Sequence, residues 1–318
     1  MRRLNTLILA VLLIALGGYV YFFELSKGDK GKPEKLIDFK QDEAAGIDLA
    51  YPDRTIQIQK HPSGKWKLTQ PVRADAEDST VRSLLAALAA GEIKRTLEKK
   101  PGAADLKSFG LDPPAARVSI TLRSGLTLPT LMVGAKTPLG DSAYARRGSD
   151  PAVYLADGSL VPALQKQPND LRDKTIVAFP EELATKIEIQ TPPGPTLVLV
   201  KGEKEQWMIE APSKKSARAD AVNEYLASLK RLRIKTFADD QPADLKKYGL
   251  DRAPLKISVD GKDGKNLATI ELGSKSADGY YAKAEGSSAV YIIDEIFYPM
   301  LRKQPADFVT EEKQEPKK

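Results

Sequence analysis

The residues that most often carry chemistry are scarce in this 318-residue chain. There is no cysteine, and His61 is the only histidine. Disulfides, thiolate metal sites and cysteine nucleophiles are therefore excluded. A single histidine also argues against a Ser-His-Asp triad or a transition-metal site. His61 lies in Lys60-His-Pro-Ser-Gly64, a turn sequence. Gly134-Ala-Lys-Thr137 and Gly273-Ser-Lys-Ser276 resemble phosphate loops, but a P-loop places glycine directly before lysine and opens a helix. Both segments read instead as turns between strands. Asp260-Gly-Lys-Asp-Gly-Lys-Asn266 lacks the alternating acids of a calcium loop and reads as a hairpin connection. The 43 carboxylates offer no pair that sequence alone can single out as acid and base. Two matched pairs on expected strands, Tyr144/Arg146 and Tyr281/Lys283, are the candidate partner or ligand surface, with cross-strand packing as the competing reading. No catalytic, cofactor-binding or metal-binding residue is assigned, and the chain is expected not to be an enzyme.

The elements that must position these pairs occur twice. Asp105-Leu-Lys-Ser-Phe-Gly-Leu-Asp112 returns as Asp244-Leu-Lys-Lys-Tyr-Gly-Leu-Asp251. Trp66 is echoed by Trp207, Val153-Tyr-Leu by Val290-Tyr-Ile, and Lys166-Gln-Pro168 by Lys303-Gln-Pro305. Landmarks kept in order at nearly constant spacing indicate a tandem duplication of a domain. Solenoid repeats have periods of only about 20–50 residues. The copies are expected over 36–180 and 181–310. In each, period-two apolar runs (Ile47/Leu49, Ile56/Ile58; Ile187/Ile189, Leu197/Leu199) predict an antiparallel meander. The stripe Val81, Leu84, Leu85, Leu88 and its echo Val222, Tyr225, Leu226, Leu229 predict a helix packed on it. Ser79 and Asp220 are placed to cap these helices, and Gly91 to end the first. Further strands around 118–122, 131–133, 143–146 and 153–155 and a short helix near 160–165 complete an α+β domain.

The repeated motif reads as a short helix with a Schellman ending. Gly110 takes the left-handed position, and Leu106 and Leu111 make the hydrophobic contact across it. Leu245, Gly249 and Leu250 repeat the arrangement.

Residues 4–23 carry no charge and are long enough, at about 1.5 Å per residue, to cross a bilayer core as a helix. Arg2 and Arg3 precede them, which places the tail in the cytoplasm and the bulk outside. A membrane anchor is expected over 1–25, a polar tether over 26–35 and a polar tail over 311–318. A cleaved signal peptide is the alternative. The net charge is +6, yet residues 36–318 hold 43 basic and 40 acidic side chains, which is no nucleic-acid footprint.

The duplicated motif, the Gly-x-Lys-[Thr/Ser] turns, Val-Tyr-[Leu/Ile], Leu171-Arg-Asp-Lys174 and the anchor together resemble the bacterial domain-of-unknown-function family 4340. That resemblance implies a single-pass inner-membrane protein exposed to the periplasm. It also implies a neighbourhood of gliding-motility-type ABC transporter auxiliary components, and hence a non-enzymatic accessory protein binding an ABC-type membrane complex. The family carries no established activity or cofactor. The second copy departs from it, with Asp307-Phe-Val-Thr310 where the first has Leu171-Arg-Asp-Lys174. An envelope glycan- or ligand-binding module, with Trp66, Trp207 and the pairs Tyr144/Arg146 and Tyr281/Lys283 exposed in a groove, is the alternative function; an enzyme is the third.

Overall fold

A computed structural model describes residues 16–19, 34–148, 150–203 and 205–309. Apart from residues 16–19 the expected anchor lies outside the described residues, as do the tail and nearly all of the tether. Among the described residues no helix is long and apolar enough to cross a membrane.

The chain forms two compact units, one ending at Arg172 and the other beginning at Asp173. The boundary precedes the expected one because residues 173–180 pack with the second unit. Ile234 N–H donates to Lys174 O at 2.8 Å, and Val177 and Phe179 are buried in the second core.

The first unit contains β1 (Ala44–Ala50), β2 (Thr55–Lys60), β3 (Trp66–Gln70) and β4 (Ala74–Asp75), then helix α1 (Asp78–Ala90) and β5 (Ile93–Glu98). Helix α2 (Ala103–Ser108), strands β6 (Ala116–Leu122), β7 (Leu131–Lys136), β8 (Ser142–Arg147) and β9 (Val153–Asp157), and helix α3 (Leu160–Leu164) follow. The second unit repeats the plan with β10 (Lys186–Gln190), β11 (Leu197–Lys201), β12 (Trp207–Ala211), β13 (Lys215–Ser216), α4 (Ala219–Lys230) and β14 (Thr236–Asp239). It continues with β15 (Leu255–Asp260), β16 (Asn266–Ser276), β17 (Gly279–Ala284), β18 (Val290–Ile293) and α5 (Phe297–Leu301). The counterpart of α2 is a single 3-10 turn, Lys246–Tyr248.

Each unit builds one nine-stranded antiparallel sheet, in the orders β4-β3-β2-β1-β6-β7-β8-β9-β5 and β13-β12-β11-β10-β15-β16-β17-β18-β14. The topologies are identical, and so are the registers at the centre. Ile47 faces Ile58 and Ile120; Ile187 faces Leu199 and Val259. Period-two alternation puts these side chains on one face of each sheet, where they are at most 1% exposed. The apolar stripe of α1 or α4 covers that face. Each fully buried Leu or Val there contributes on the order of 2 kcal/mol by leaving water. The helix also carries the chain from one sheet edge (β4, β13) to the other (β5, β14), a long-range crossing that no local pattern in the sequence announces.

The helix starts differ from expectation. Ser79 and Asp220 lie inside the first turn, and the N-cap positions belong to Glu77 and Arg218. The entry is tied down by backbone instead: Glu77 N–H donates to Leu171 O and Arg218 N–H to Phe308 O. Gly91 does end α1, but at φ −62°, so no left-handed residue is needed there.

Candidate functional site

The outer face of each sheet, opposite the helix, is where the repeated motif and the aromatic-basic pairs meet. Asp105 accepts the Gly102 N–H at 2.9 Å and starts α2. Gly110 (φ +63°) ends it: Gly110 N–H donates to Lys107 O and Leu111 N–H to Leu106 O at 2.8 Å, the paired bonds of a Schellman ending. In the second unit Gly249 (φ +66°) donates to Lys246 O, and Leu250 N–H donates to Leu245 O.

The turn then docks on a strand. Ala135 N–H donates to Phe109 O at 2.9 Å, and a Cβ on Gly134 would lie 2.3 Å from that carbonyl. A Cβ on Gly273 would lie 2.1 Å from Tyr248 O. The glycines of the two Gly-x-Lys-[Thr/Ser] segments are therefore seats for the motif, where backbone meets backbone. They explain why both signatures recur together. The first segment lies largely in β7 and the second within β16, so neither opens a helix.

The tyrosines of the candidate pairs are part of the same joint. Tyr144 packs on Phe109 with ring centroids 4.6 Å apart, and Tyr281 on Tyr248 at 5.0 Å. Tyr248, Leu250 and Val290 form a small second core on this outer face, with Leu245 and Tyr281 at its margin. Asp239 accepts the Tyr248 hydroxyl at 2.6 Å and lies 3.2 Å from Lys247 Nζ; these bonds hold its carboxyl below the usual range. Sequence spacing could have paired Phe109 with Tyr144, since both aromatics recur in both copies, but nothing local says that they touch.

Arg146 and Lys283 remain at the surface, and here the units differ. Register places Arg117, Met132 and Arg146 side by side on β6, β7 and β8. The corresponding row in the second unit is Lys256, Glu271 and Lys283. Glu271 lies 2.9 Å from Lys256 Nζ and directly opposite Lys283, whose ammonium also donates to Ser287 O. These three line a cleft of about 340 Å3 beside Leu245. In the first unit Met132 takes the acid's place. Among the described residues neither Arg117 nor Arg146 has an ion-pair partner, and Arg146 Nε is buried without an acceptor.

A second cleft, of about 180 Å3, lies in the first unit between the β1–β2 turn and α3. Val133, Val161 and Leu164 form its apolar wall. Tyr51 donates from its hydroxyl to Leu164 O at 2.6 Å, and Arg54 stacks over the Tyr51 ring and donates to Lys166 O at 2.9 Å. Burial pushes the Tyr51 phenol upward.

His61 is exposed in its turn, with Nδ1 2.9 Å from Ser63 Oγ. Arg172 is 6% exposed and bonds Asn169, which makes it a framework residue; Lys174 belongs to the second unit. Among the described residues no cluster of three acidic or histidine side chains could hold a metal.

Two overlapping matches to one family, Domain of unknown function (DUF4340), cover residues 66–241 and 207–313. The chain belongs to this family. Its two matches begin at Trp66 and Trp207, the first residues of β3 and β12, which are equivalent positions of the duplication. No curated protein and no solved structure matches the chain.

Proposed function

We propose that this DUF4340 protein is a non-enzymatic, membrane-anchored binding protein. Residues 4–23 would hold it in the bacterial inner membrane, and the two units would engage a membrane partner of the ABC-transporter type on the extracytoplasmic side. The observation that carries the reading is the pattern of divergence between the units. The core face, the docking glycines and the motif turns are kept, while the exposed row beside them changes charge. A duplicated scaffold with one altered surface suits recognition. The family neighbourhood behind the choice of partner is an argument from association.

The envelope-glycan alternative has less support. It needs Trp66 and Trp207 in an open groove, and both are 4% exposed, packed inside their cores.

In-cell cross-linking, followed by mild-detergent purification of the full-length chain and mass spectrometry, tests the proposal. ABC-type membrane subunits recovered in near-stoichiometric amount are the expected result. A chain that purifies alone, cross-linked to nothing, overturns it.

A further inference from the structure

We propose that the row Arg117–Met132–Arg146 on the outer face of the first unit is the docking site for an acidic, carboxylate-bearing segment of a protein partner. The inference deepens the partner-binding reading and rests on it.

Strands in a sheet are about 4.8 Å apart, so side chains on β6 and β8 are about 10 Å apart across Met132. On an extended chain the acids that share a face are two or four residues apart, about 7 or 13 Å, and long, flexible arginine side chains at that separation can reach either pair. Each guanidinium can grip a carboxylate with two parallel N–H···O bonds. The Arg146 guanidinium makes one long hydrogen bond, from Nη2 to Asp150 O at 3.4 Å, and no ion pair among the described residues, which leaves its terminal nitrogens for that task. Met132 supplies an adaptable apolar contact between the two cations.

The neighbouring acids are engaged elsewhere or stand off. Asp150 accepts the Tyr154 hydroxyl and lies 3.8 Å from Arg147 Nε; the Tyr154 bond most, and Arg146 least, hold its carboxyl below the usual range. Glu98, opposite Val153, accepts the Lys100 N–H. Asp48, on β1, lies in the next row beside Ser119. The second unit supplies an internal control. With Glu271 between Lys256 and Lys283 the same row falls from two net positive charges to one and Lys256 is paired within it, so its demand for an external acid is smaller. A plain headgroup surface would need charge alone, whereas this row sets an apolar side chain between two forks.

The test uses the full-length chain in phosphatidylcholine nanodiscs, titrated with a fluorescent octaglutamate peptide and an octaglutamine control. Wild type is expected to bind octaglutamate in preference, more weakly as salt rises. Arg117→Gln and Arg146→Gln should each lower affinity about tenfold, the worth of one charge-assisted contact. Met132→Glu, which copies the second unit, should abolish the preference. Lys256→Gln and Lys283→Gln should leave it unchanged. Circular dichroism and melting temperature establish that each variant is folded, and the two arginine variants suffice if Met132→Glu is not. Equal binding of the two peptides, or equal loss from the second-unit variants, overturns the proposal. So does a row that gains hydrogen-exchange protection only in phosphatidylglycerol nanodiscs, which would assign the face to lipid. Cross-linking of the Arg117→Gln/Arg146→Gln chain separates the two readings. A partner still captured there sinks this site alone, whereas no partner captured by wild type sinks the binding reading itself.

Discussion

The two units solve one local problem with different residues. In each, a short helix, α3 or α5, ends with a carbonyl, Leu164 O or Leu301 O, that accepts one backbone N–H, from Lys166 or Lys303, and takes a second donor from a tyrosine. In the first unit the donor is Tyr51, reaching from the β1–β2 turn. In the second it is Tyr225, from the middle of α4, at 3.0 Å and fully buried. The equivalent of Tyr225 is Leu84, and the β10–β11 turn, Thr191-Pro-Pro-Gly-Pro-Thr196, offers no tyrosine. A carbonyl oxygen can accept two hydrogen bonds, but the fold does not dictate which element supplies the second donor. Other joints tolerate no such exchange. Gln167 and Gln304 N–H groups donate to Asp170 and Asp307, and Asp157 and Asp294 accept the N–H two residues on. Lys94 and Lys235 pair with those last two acids in both copies. The repeated landmarks are thus places where backbone groups are satisfied or backbones touch.

The largest effect should come from filling a docking seat. Gly273→Ala would set a Cβ 2.1 Å from Tyr248 O and Gly134→Ala 2.3 Å from Phe109 O. Backbone cannot yield as a flexible side chain can, so each should cost about 3 kcal/mol, near the upper end of overpacking penalties. Urea unfolding with amide hydrogen exchange resolved by unit reads this out. A loss under half that size would mean that the motif does not depend on its glycine seat.

Next come the two tyrosines. Tyr225→Phe removes one of the two donors to the buried Leu301 O, leaving the Lys303 N–H, and should destabilise the second unit by about 1.5 kcal/mol. Tyr51→Phe, at a half-exposed site open to water, should cost about 1 kcal/mol or less in the first. Equal costs would erase the contrast between a sealed and a wet solution.

Alkaline pH sharpens the same contrast. Burial pushes the Tyr225 phenol well above its ordinary value of 10.0. The unfolded chain gives up that proton first, so the stabilisation is whole below pH 10 and declines as pH rises beyond it. Stability of the second unit measured from pH 9 to 11.5 should fall, and Tyr225→Phe should flatten the decline.

The smallest effect belongs to Asp157. Hydrogen bonds from Ser159 and the neighbouring Lys94 hold its carboxyl at about 2, against an ordinary 3.8. Its contribution is present above pH 3.8 and fades as pH falls through about 2. A carboxyl carbon-13 NMR titration of the wild type should show that midpoint, and Lys94→Met should raise it. A midpoint unmoved by that substitution would rule out Lys94 as a cause.

Much of this was legible in the residues themselves. Trp66 and Trp207, the two Asp-Leu-Lys motifs and the period-two runs disclose the duplication and its α+β character, because sheet alternation, amphipathic stripes and glycine-ended turns are local signals. The Schellman turn could be read from Leu106, Gly110 and Leu111 for the same reason. The exposed basic row could not. Arg117 and Arg146 are far apart in the chain, and Met132 gives no hint of standing between them. The helix caps eluded the sequence because the partners of Glu77 and Arg218, Leu171 and Phe308, come from the far end of each unit.

The sequence by itself determined that one domain was built twice, that cysteine and histidine chemistry is essentially closed to it, and where its turns must fall. Tertiary structure alone decided that β5 crosses to the far edge of the sheet and that Gly134 and Gly273 are seats for the motif within strands rather than turns between strands. It also decided which charges stand beside one another. The physical reason is range. Backbone conformation and periodicity are written over a few residues, whereas strand register and surface charge come from pairings between segments that only folding brings together.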